Sequence, residues 1–274
     1  MPSRVEQNFY HLLEIFARKN VRTTCFFLGW VGERFSHLVR EAEAQGHEIA
    51  SHGYAHRLVY EMTPKEFYED AVRSRKLLED ISGSPVWGYR AAGFSVTERT
   101  PWFFDELSKA GYYYDASVFP AARSHGGIRS ALRSPHIVQR SNSRLLEFPM
   151  SVAGWDRKPT CFFGGGYLRL FPYWLIRKMA RQVLAAGRPV VFYIHPREVD
   201  PAHPRLPMNL CRRFKSYINL QRTEKKISRI LDEFPVTTFR DFLFTAGGPA
   251  RSFGQAQADF SFVCKEDWPV AASF

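Results

Sequence analysis

The sequence contains few cysteines, and their positions match no metal or redox motif. The four cysteines are scattered through 274 residues without a C-x-x-C pair, so neither a zinc ribbon nor a dithiol redox site is indicated. No apolar run approaches the ~18 to 20 residues of a membrane span, and the first 20 residues lack the apolar core of a secretory signal. These absences predict reduced thiols and a cytoplasmic protein without a transmembrane segment.

Acidic residues are the minority among the charged ones. Lys and Arg number 38 against 27 Asp and Glu, giving a formal net charge of +11, which favours anionic partners. The basic residues are spread along the chain, without a basic tail or a recognised nucleic-acid motif. We therefore expect no nucleic-acid partner. An acidic polysaccharide, an anionic membrane surface and no anionic partner at all remain open.

Helical and strand-like segments alternate along most of the chain. The clearest helix is predicted after Thr63, where Pro64 takes the first helical position, Glu66 completes a capping box and Gly83 ends the helix. Residues 121–143 are predicted to form a long loop, and residues 246–274 an appendage with neither a clear period nor caps. The alternation predicts an α/β fold with a parallel sheet, either open and doubly wound or closed into a barrel.

Several chemically capable side chains follow predicted strands. Each of them comes at or just after the end of an apolar, strand-like run: His52, His56, Arg90, Asp115 and His195. Because the carboxyl ends of parallel strands meet at one edge of a sheet or barrel, we expect these side chains to share a site there.

The stretch "SHGYAH" places His52 and His56 four residues apart. If these residues form a helical turn, both imidazoles can reach one divalent ion, which catalytic sites complete with a third protein ligand and an open position. Taken alone, the pair is as compatible with a surface or capping role. Arg90 as an ion-pair partner, Asp115 as a turn residue and His195 as a core histidine are the corresponding non-catalytic readings.

Four stretches, "SHGYAH", "GYRAAGFS", "YDASVFP" and "VFYIHP", occur in this order along the chain. In their order and spacing they resemble motifs of the polysaccharide deacetylases, the NodB-homology family of carbohydrate esterases. "HEIASHGYAHRLVYEMTPKEFYEDAVRSRKLLEDISG" and "GGGYLRLFPY" resemble most the subgroup found with exopolysaccharide and exosortase loci. The likeness covers roughly residues 2 to 242.

The resemblance implies a distorted (β/α) barrel, formed here by residues 1–245. It implies metal-dependent removal of acetyl groups from N-acetylated sugars of a polysaccharide or oligosaccharide, in exopolysaccharide production. The expected cofactor is a divalent metal, with zinc as its expected identity. No transmembrane segment is implied.

The resemblance also implies roles for single residues of this sequence. His52 and His56 would bind the metal, and His195 would donate a proton to the departing amine. Arg90 would orient the carboxylate that acts as base, and Asp115 would hold a neighbouring group such as His195. The sugar groove would be lined by Phe94, Pro120 and Tyr167.

The sequence departs from the family pattern at two places. Ala92 stands where the arginine motif of the family has proline. The family's first strand, which ends in an Asp pair, has no counterpart before residue 24. Three explanations remain open: the sequence continues upstream, the protein is inactive, or another carboxylate substitutes. Losing that strand should also leave unpaired backbone edges at a seam of the barrel.

The alternative to an enzyme is a catalytically inactive, carbohydrate-binding relative. Such a protein would keep the groove and stack aromatic side chains on sugar rings. The candidates for stacking are Trp87, Trp102, Trp155 and Trp174.

Overall fold

Helices and strands alternate through most of the chain in the computed structural model, which describes residues 4–121, 126–139, 144–154, 159–244 and 270–273. The α-helices in this part are α1 (Val5–Arg18), α2 (Gly29–Arg34), α3 (Ser36–Ala44), α4 (Pro64–Ser82), α5 (Phe103–Lys109), α6 (Gly165–Leu170), α7 (Tyr173–Ala185), α8 (Leu210–Tyr217), α9 (Leu220–Glu233) and α10 (Phe239–Phe244). The strands are β1 (Thr24–Phe27), β2 (Glu48–Ser51), β3 (Gly88–Tyr89), β4 (Tyr114–Asp115), β5 (His136–Gln139), β6 (Arg144–Glu147), β7 (Val152–Ala153), β8 (Thr160–Cys161), β9 (Val191–Tyr193), β10 (Val236–Thr237) and β11 (Val270–Ser273). Short 3-10 helices lie at Val59–Glu61, Ala92–Phe94 and Pro196–Val199.

The main sheet is parallel over most of its width. Its strand order is β10-β11-β1-β2-β3-β4-β6-β5, with β9 also paired to β11. Only β5 and β6 pair antiparallel in this sheet of the described residues. The predicted α/β architecture with a parallel sheet is confirmed, and the described strands do not close into a complete barrel.

The last described strand changes the expectation for the C-terminal appendage. Residues 245–269 and 274 lie outside the described residues, but β11 enters the main sheet. Its backbone runs parallel to β1, β9 and β10, with Ser273 level with both Thr24 and Tyr193. These four residues therefore partly fill the predicted seam, because they supply backbone partners to strands on either side of it.

The helix predicted after Thr63 forms as expected. The Thr63 hydroxyl accepts a hydrogen bond from the backbone N–H of Glu66, and the Glu66 carboxylate accepts one from the N–H of Thr63. Pro64 lacks a backbone N–H, but at the first helical position an N–H would have no partner within the helix. At the other end, Gly83 terminates α4 in the left-handed region, at φ 70°. Local sequence is sufficient to fix both ends of this helix.

The loop predicted at residues 121–143 is wrong in its second half. Residues 136–139 form β5, which pairs antiparallel with β6 over four residue pairs, from His136 opposite Glu147 to Gln139 opposite Arg144. β5 is a half-exposed strand at the sheet edge, so its sequence shows little of the apolar character that marks the buried strands.

Alternation along the strands distributes the core over both faces of the sheet. Cys25 and Phe27 join the cluster packed under α1, α3 and α4, whereas Phe26 joins an aromatic cluster on the opposite face, with Tyr114 and Phe239. Helices packed on one face of the sheet and aromatic rings packed on the other hold the strand ends in fixed positions.

In the part of the chain that the structure describes, no helix is long and apolar enough to cross a membrane.

Candidate active site

The carboxyl ends of the strands carry the predicted functional residues. His52 follows β2, Arg90 follows β3, Asp115 ends β4, and His195 comes two residues after β9. Ser51 lies level with Tyr89, and Tyr89 with Asp115, in the parallel register. The predicted placement of these residues at one edge of the sheet is confirmed.

His52 and His56 converge, but they do not lie on a helical turn. Gly53 and His56 have φ values of 74° and 58°, which a right-handed helix does not allow. Their rings are 5.2 Å apart between centroids, at 75° to each other. The His52 Nδ1 donates to the carbonyl of Arg90 at 2.6 Å, because a carbonyl can only accept. The Nε2 of His52 therefore keeps its lone pair, the arrangement seen in metal-binding histidines.

The electrostatic surroundings keep this histidine pair neutral. Burial, with the neighbouring His56, lowers the pKa of His52 to about 3. Burial and the nearby His195 likewise lower the pKa of His56. Both imidazoles are therefore unprotonated at neutral pH, as a metal ligand must be.

Arg90 lies beneath the histidines in the interior of the fold, 4% exposed. Its Nε donates to the carbonyl of Ala116 at 3.0 Å, and its guanidinium lies 4.3 Å from the ring centroid of Phe26. Burial lowers the pKa of Arg90 to about 10, which leaves it charged at neutral pH. It supplies a fixed positive charge close to the strand ends.

Asp115 is placed differently from the role expected for it. Its contacts are with Ser117, whose hydroxyl donates to Oδ1, and with Glu147, which lies opposite it in the β4–β6 register. Both carboxyl groups are fully buried, and burial raises the pKa of each. Asp115 therefore belongs to an interior carboxyl pair, and the carboxylate beside His195 is a different one.

That carboxylate is Glu198. Its Oε1 lies 3.9 Å from the His195 Nδ1, and its Oε2 accepts from the backbone N–H of His195 at 3.3 Å. Oε1 also lies 3.5 Å from the Nε of Arg169, and Glu198 and Arg169 are 1% and 4% exposed. The sequence analysis missed both residues. The available signal was the short spacing in "HPRE", where a proline fixes a tight turn and returns the Glu to the His.

Of the three residues predicted to line the sugar groove, one lines the cavity and two lie outside it. Phe94 lines the cavity at the strand ends. Pro120 is buried outside its lining, after Phe119, whose ring lies 6.0 Å from that of Phe94. Tyr167 is 40% exposed on α6, beside Phe171 and outside that lining. Of the aromatic candidates for sugar stacking, Trp155 lies outside the described residues.

A cavity of about 410 Å³ opens among these residues. It lies beside the ends of β1, β2 and β9, and most of its wall is apolar. The nitrogen-bearing side chains in its lining are His52, His56, Arg90 and His195. Among the described residues, no group of three or more His, Cys, Asp and Glu side chains is placed to hold a metal. The histidine pair fits a metal as two ligands, one fewer than the three protein ligands of a catalytic zinc site.

Two family models match different parts of the chain. Residues 2–114 match the family model described as polysaccharide deacetylase, and residues 116–243 match a domain of unknown function, DUF3473. A peptidoglycan deacetylase of Helicobacter pylori is 31% identical over 107 residues, 39% of this chain and 36% of that protein. A peptidoglycan-N-acetylglucosamine deacetylase of Bacillus cereus is 26% identical over 72 residues, 26% of each protein.

A solved structure from Mycobacterium smegmatis, described as a polysaccharide deacetylase, has the same fold over much of its length. It is 21% identical, with a TM-score of 0.53, over 82% of this chain and 71% of that one. The chain spans about a third of the H. pylori relative and about a quarter of the B. cereus one. The matches support a relationship to the polysaccharide deacetylase family, carried by the first 114 residues.

Proposed function

We propose that this chain, whose first 114 residues are related to the polysaccharide deacetylases, hydrolyses N-acetyl groups on amino sugars of a polysaccharide with the help of a divalent metal, zinc being the expected one. The observation that carries the proposal is the convergence of His52, His56, Arg90 and His195 on one cavity at the strand ends. Exopolysaccharide production in the cytoplasm is the setting we propose, and it rests on the sequence resemblance alone.

His52 and His56 would hold the metal, which in such hydrolases polarises the acetyl carbonyl and activates water. Among the described residues no third His, Cys, Asp or Glu side chain joins them. Their neutral state at neutral pH, set by burial, is what the chain itself contributes to metal binding.

His195 would act as the general acid. Its side chain is 56% exposed at the cavity wall, so a bound sugar can reach it. When water adds to the acetyl carbonyl and the carbon–nitrogen bond breaks, the amine nitrogen needs a proton, which an imidazolium can donate. Glu198 would position His195, because it contacts both the ring and the backbone N–H of this residue.

The test is acetate release from an oligosaccharide of N-acetylglucosamine, measured together with zinc content. His52→Ala and His56→Ala should each lower zinc affinity at least tenfold, since a coordinating nitrogen is lost, and abolish acetate release. His37→Ala is the matched control, because His37 is an exposed histidine on α3. Equal acetate release from the unmodified protein and both pocket variants would overturn the proposal.

The second candidate is a protein that binds carbohydrate without turning it over. The absence of a third metal ligand among the described residues favours it. Saturable oligosaccharide binding, unaffected by a chelator and without acetate release, would select this candidate over the enzyme.

A further inference from the structure

The segment after β9 has an unusual charge distribution. Residues 201–223 contain five Lys or Arg residues and no Asp or Glu. Arg205, Arg213 and Lys215 are exposed in this 201–223 segment. A local excess of one sign over 23 residues gives this part of the surface a positive potential that favours an anionic partner.

Large apolar side chains are exposed in the same segment. Leu206, Leu210 and Phe214 are 47%, 81% and 55% exposed and follow one another at four-residue intervals. Leu210 and Phe214 therefore lie on one side of α8. Apolar side chains so exposed and so close together mark an interaction surface rather than ordinary surface scatter.

The segment is held in place from below. Tyr217, 7% exposed at the end of α8, donates its hydroxyl to the carbonyl of Pro204 and accepts from the backbone N–H of Leu206, both at 2.9 Å. The guanidinium of Arg205 lies 4.4 Å from the Tyr217 ring. The exposed apolar side chains therefore belong to a segment that the contacts of Tyr217 hold in place.

The same support connects α8 to the candidate active site. Arg169 donates through its two terminal nitrogens to the carbonyls of Ser216, at 2.5 Å, and Lys215, at 2.9 Å. Its Nε faces Glu198, which contacts His195. One buried arginine therefore links the outer helix, through Glu198, to His195 in the cavity wall.

We propose that the 201–223 segment docks on the surface of an anionic lipid bilayer. Leu206, Leu210 and Phe214 would enter the boundary between headgroups and acyl chains, and the flanking basic side chains would contact the anionic headgroups. The association that we propose is peripheral, through side chains at the bilayer surface. Docking would bring the cavity to sugars held at the membrane surface.

The alternatives fit the observations less well. A soluble acidic polysaccharide would use the basic side chains but has no need of exposed Leu210 and Phe214. A second copy packed on the same face would bring two segments of like charge together, which opposes association. A bilayer with anionic headgroups satisfies both the apolar and the basic part of the surface.

The experiment is co-sedimentation of the purified chain with vesicles of phosphatidylcholine containing phosphatidylglycerol, compared with phosphatidylcholine alone. We expect binding to the anionic vesicles only. Leu210→Glu and Phe214→Glu should each weaken it at least tenfold, since each places a charge in the apolar boundary. Leu132→Glu is the matched control, a leucine 62% exposed on the loop before β5, and should bind as the unmodified protein does.

The charged half of the surface is tested separately. Arg213→Glu changes the surface charge by two units and should weaken binding about 25-fold, at roughly fivefold for each unit. Arg99→Glu, a change of an exposed arginine outside the segment, should alter binding little. The readout requires no catalytic activity, so it stands apart from the deacetylase proposal. The proposal would be overturned if the protein did not bind the anionic vesicles, or if Leu132→Glu weakened binding as much as the variants in the segment. It would also be overturned if a soluble acidic polysaccharide displaced the protein from vesicles while Phe214→Glu had no effect on binding. A dimer that Phe214→Glu dissociates would equally contradict it.

Discussion

Glu198 contacts the proposed acid, His195, but does not itself line the cavity. It is buried and contacts His195 on one side and Arg169 on the other. A half-exposed imidazole has several accessible orientations, and a carboxylate fixed by a buried guanidinium restricts them. The residue that positions the proposed acid is therefore three positions away in sequence, in the turn that follows β9.

Glu198→Gln should lower kcat for deacetylation about tenfold and leave KM nearly unchanged. The reason is that a neutral amide holds the ring less firmly, while the sugar-binding wall stays intact. Steady-state kinetics would show the split, and Glu98→Gln, an exposed carboxylate change, is the control. A rise in KM with unchanged kcat would mean that Glu198 serves substrate binding instead.

His47 should make stability depend on pH. It is 3% exposed, and its Nδ1 accepts from the backbone N–H of Thr23 at 3.1 Å. Burial lowers its pKa to about 4, whereas the unfolded chain takes up the proton near pH 6.5. Between these values the unfolded state binds more protons, so stability falls as the pH falls from 6.5 towards 4.

Relative to His47→Gln, the unmodified chain should lose roughly 2 kcal/mol of unfolding free energy between pH 7 and pH 5, at about 1.4 kcal/mol per pH unit. Urea unfolding at both pH values measures the difference. His37→Gln, at an exposed site, should follow the unmodified protein. Parallel losses in all three proteins would show that His47 is not the group responsible.

At the scale of elements, β4 and β6 are joined by an acidic pair. Asp115 and Glu147 face each other in register at full burial, and Glu147 Oε1 also accepts from the backbone N–H of Val118 at 3.0 Å. In the described structure Asp115 Oδ2 and Glu147 Oε2 are buried without a hydrogen-bond partner. A proton on one carboxyl group would let that group donate to the other, so we expect the pair to titrate as one unit that retains a proton.

At pH 8, the unfolding free energy of Glu147→Gln should be at least that of the unmodified chain, and up to about 1 kcal/mol higher. Burial raises the pKa of Glu147, so the folded state retains a proton that the unfolded state releases above about pH 4.3, and this costs stability as the pH rises. Glutamine removes that cost while keeping an acceptor for Val118. Glu147→Ala should instead lose about 1–3 kcal/mol, since the buried N–H is left unpaired.

Urea unfolding at pH 6 and pH 8 distinguishes the two variants. A Glu147→Gln protein that becomes less stable than the unmodified chain as the pH rises would contradict the shared proton.

The helices and strands could be predicted from the sequence to different degrees. Thr63, Pro64 and Gly83 mark α4 in the sequence, whereas β5 is set by pairing with β6. The sequence analysis also missed α8, whose Leu210 and Phe214 are exposed rather than buried.

At the scale of the whole molecule, β11 brings the last described residues into contact with strands far away in sequence. Ala271 is level with Val191 of β9 and with Thr237 of β10, and Ser273 is level with Thr24 of β1. Four residues thus connect the first half of the sheet to its last strands.

Ala271→Pro should lower the unfolding free energy by roughly 2–3 kcal/mol, because proline removes a ladder donor and is not tolerated between paired strands. Exposed edges of β1 and β9 should also promote aggregation. Thermal unfolding and light scattering measure the two effects, with Ala202→Pro in an exposed turn as the control. An unchanged midpoint would mean that β11 contributes nothing to the sheet.

The sequence by itself determined the alternation of helices and strands, the capped helix α4 and the position of His52, Arg90, Asp115 and His195 at strand ends. These features follow from local periodicity, capping and strand polarity, which neighbouring residues encode. Only the tertiary structure decided that Asp115 pairs with Glu147, that Glu198 contacts His195 and that β11 joins the sheet. Each depends on strand order and burial, which bring distant residues together and carry no local signature.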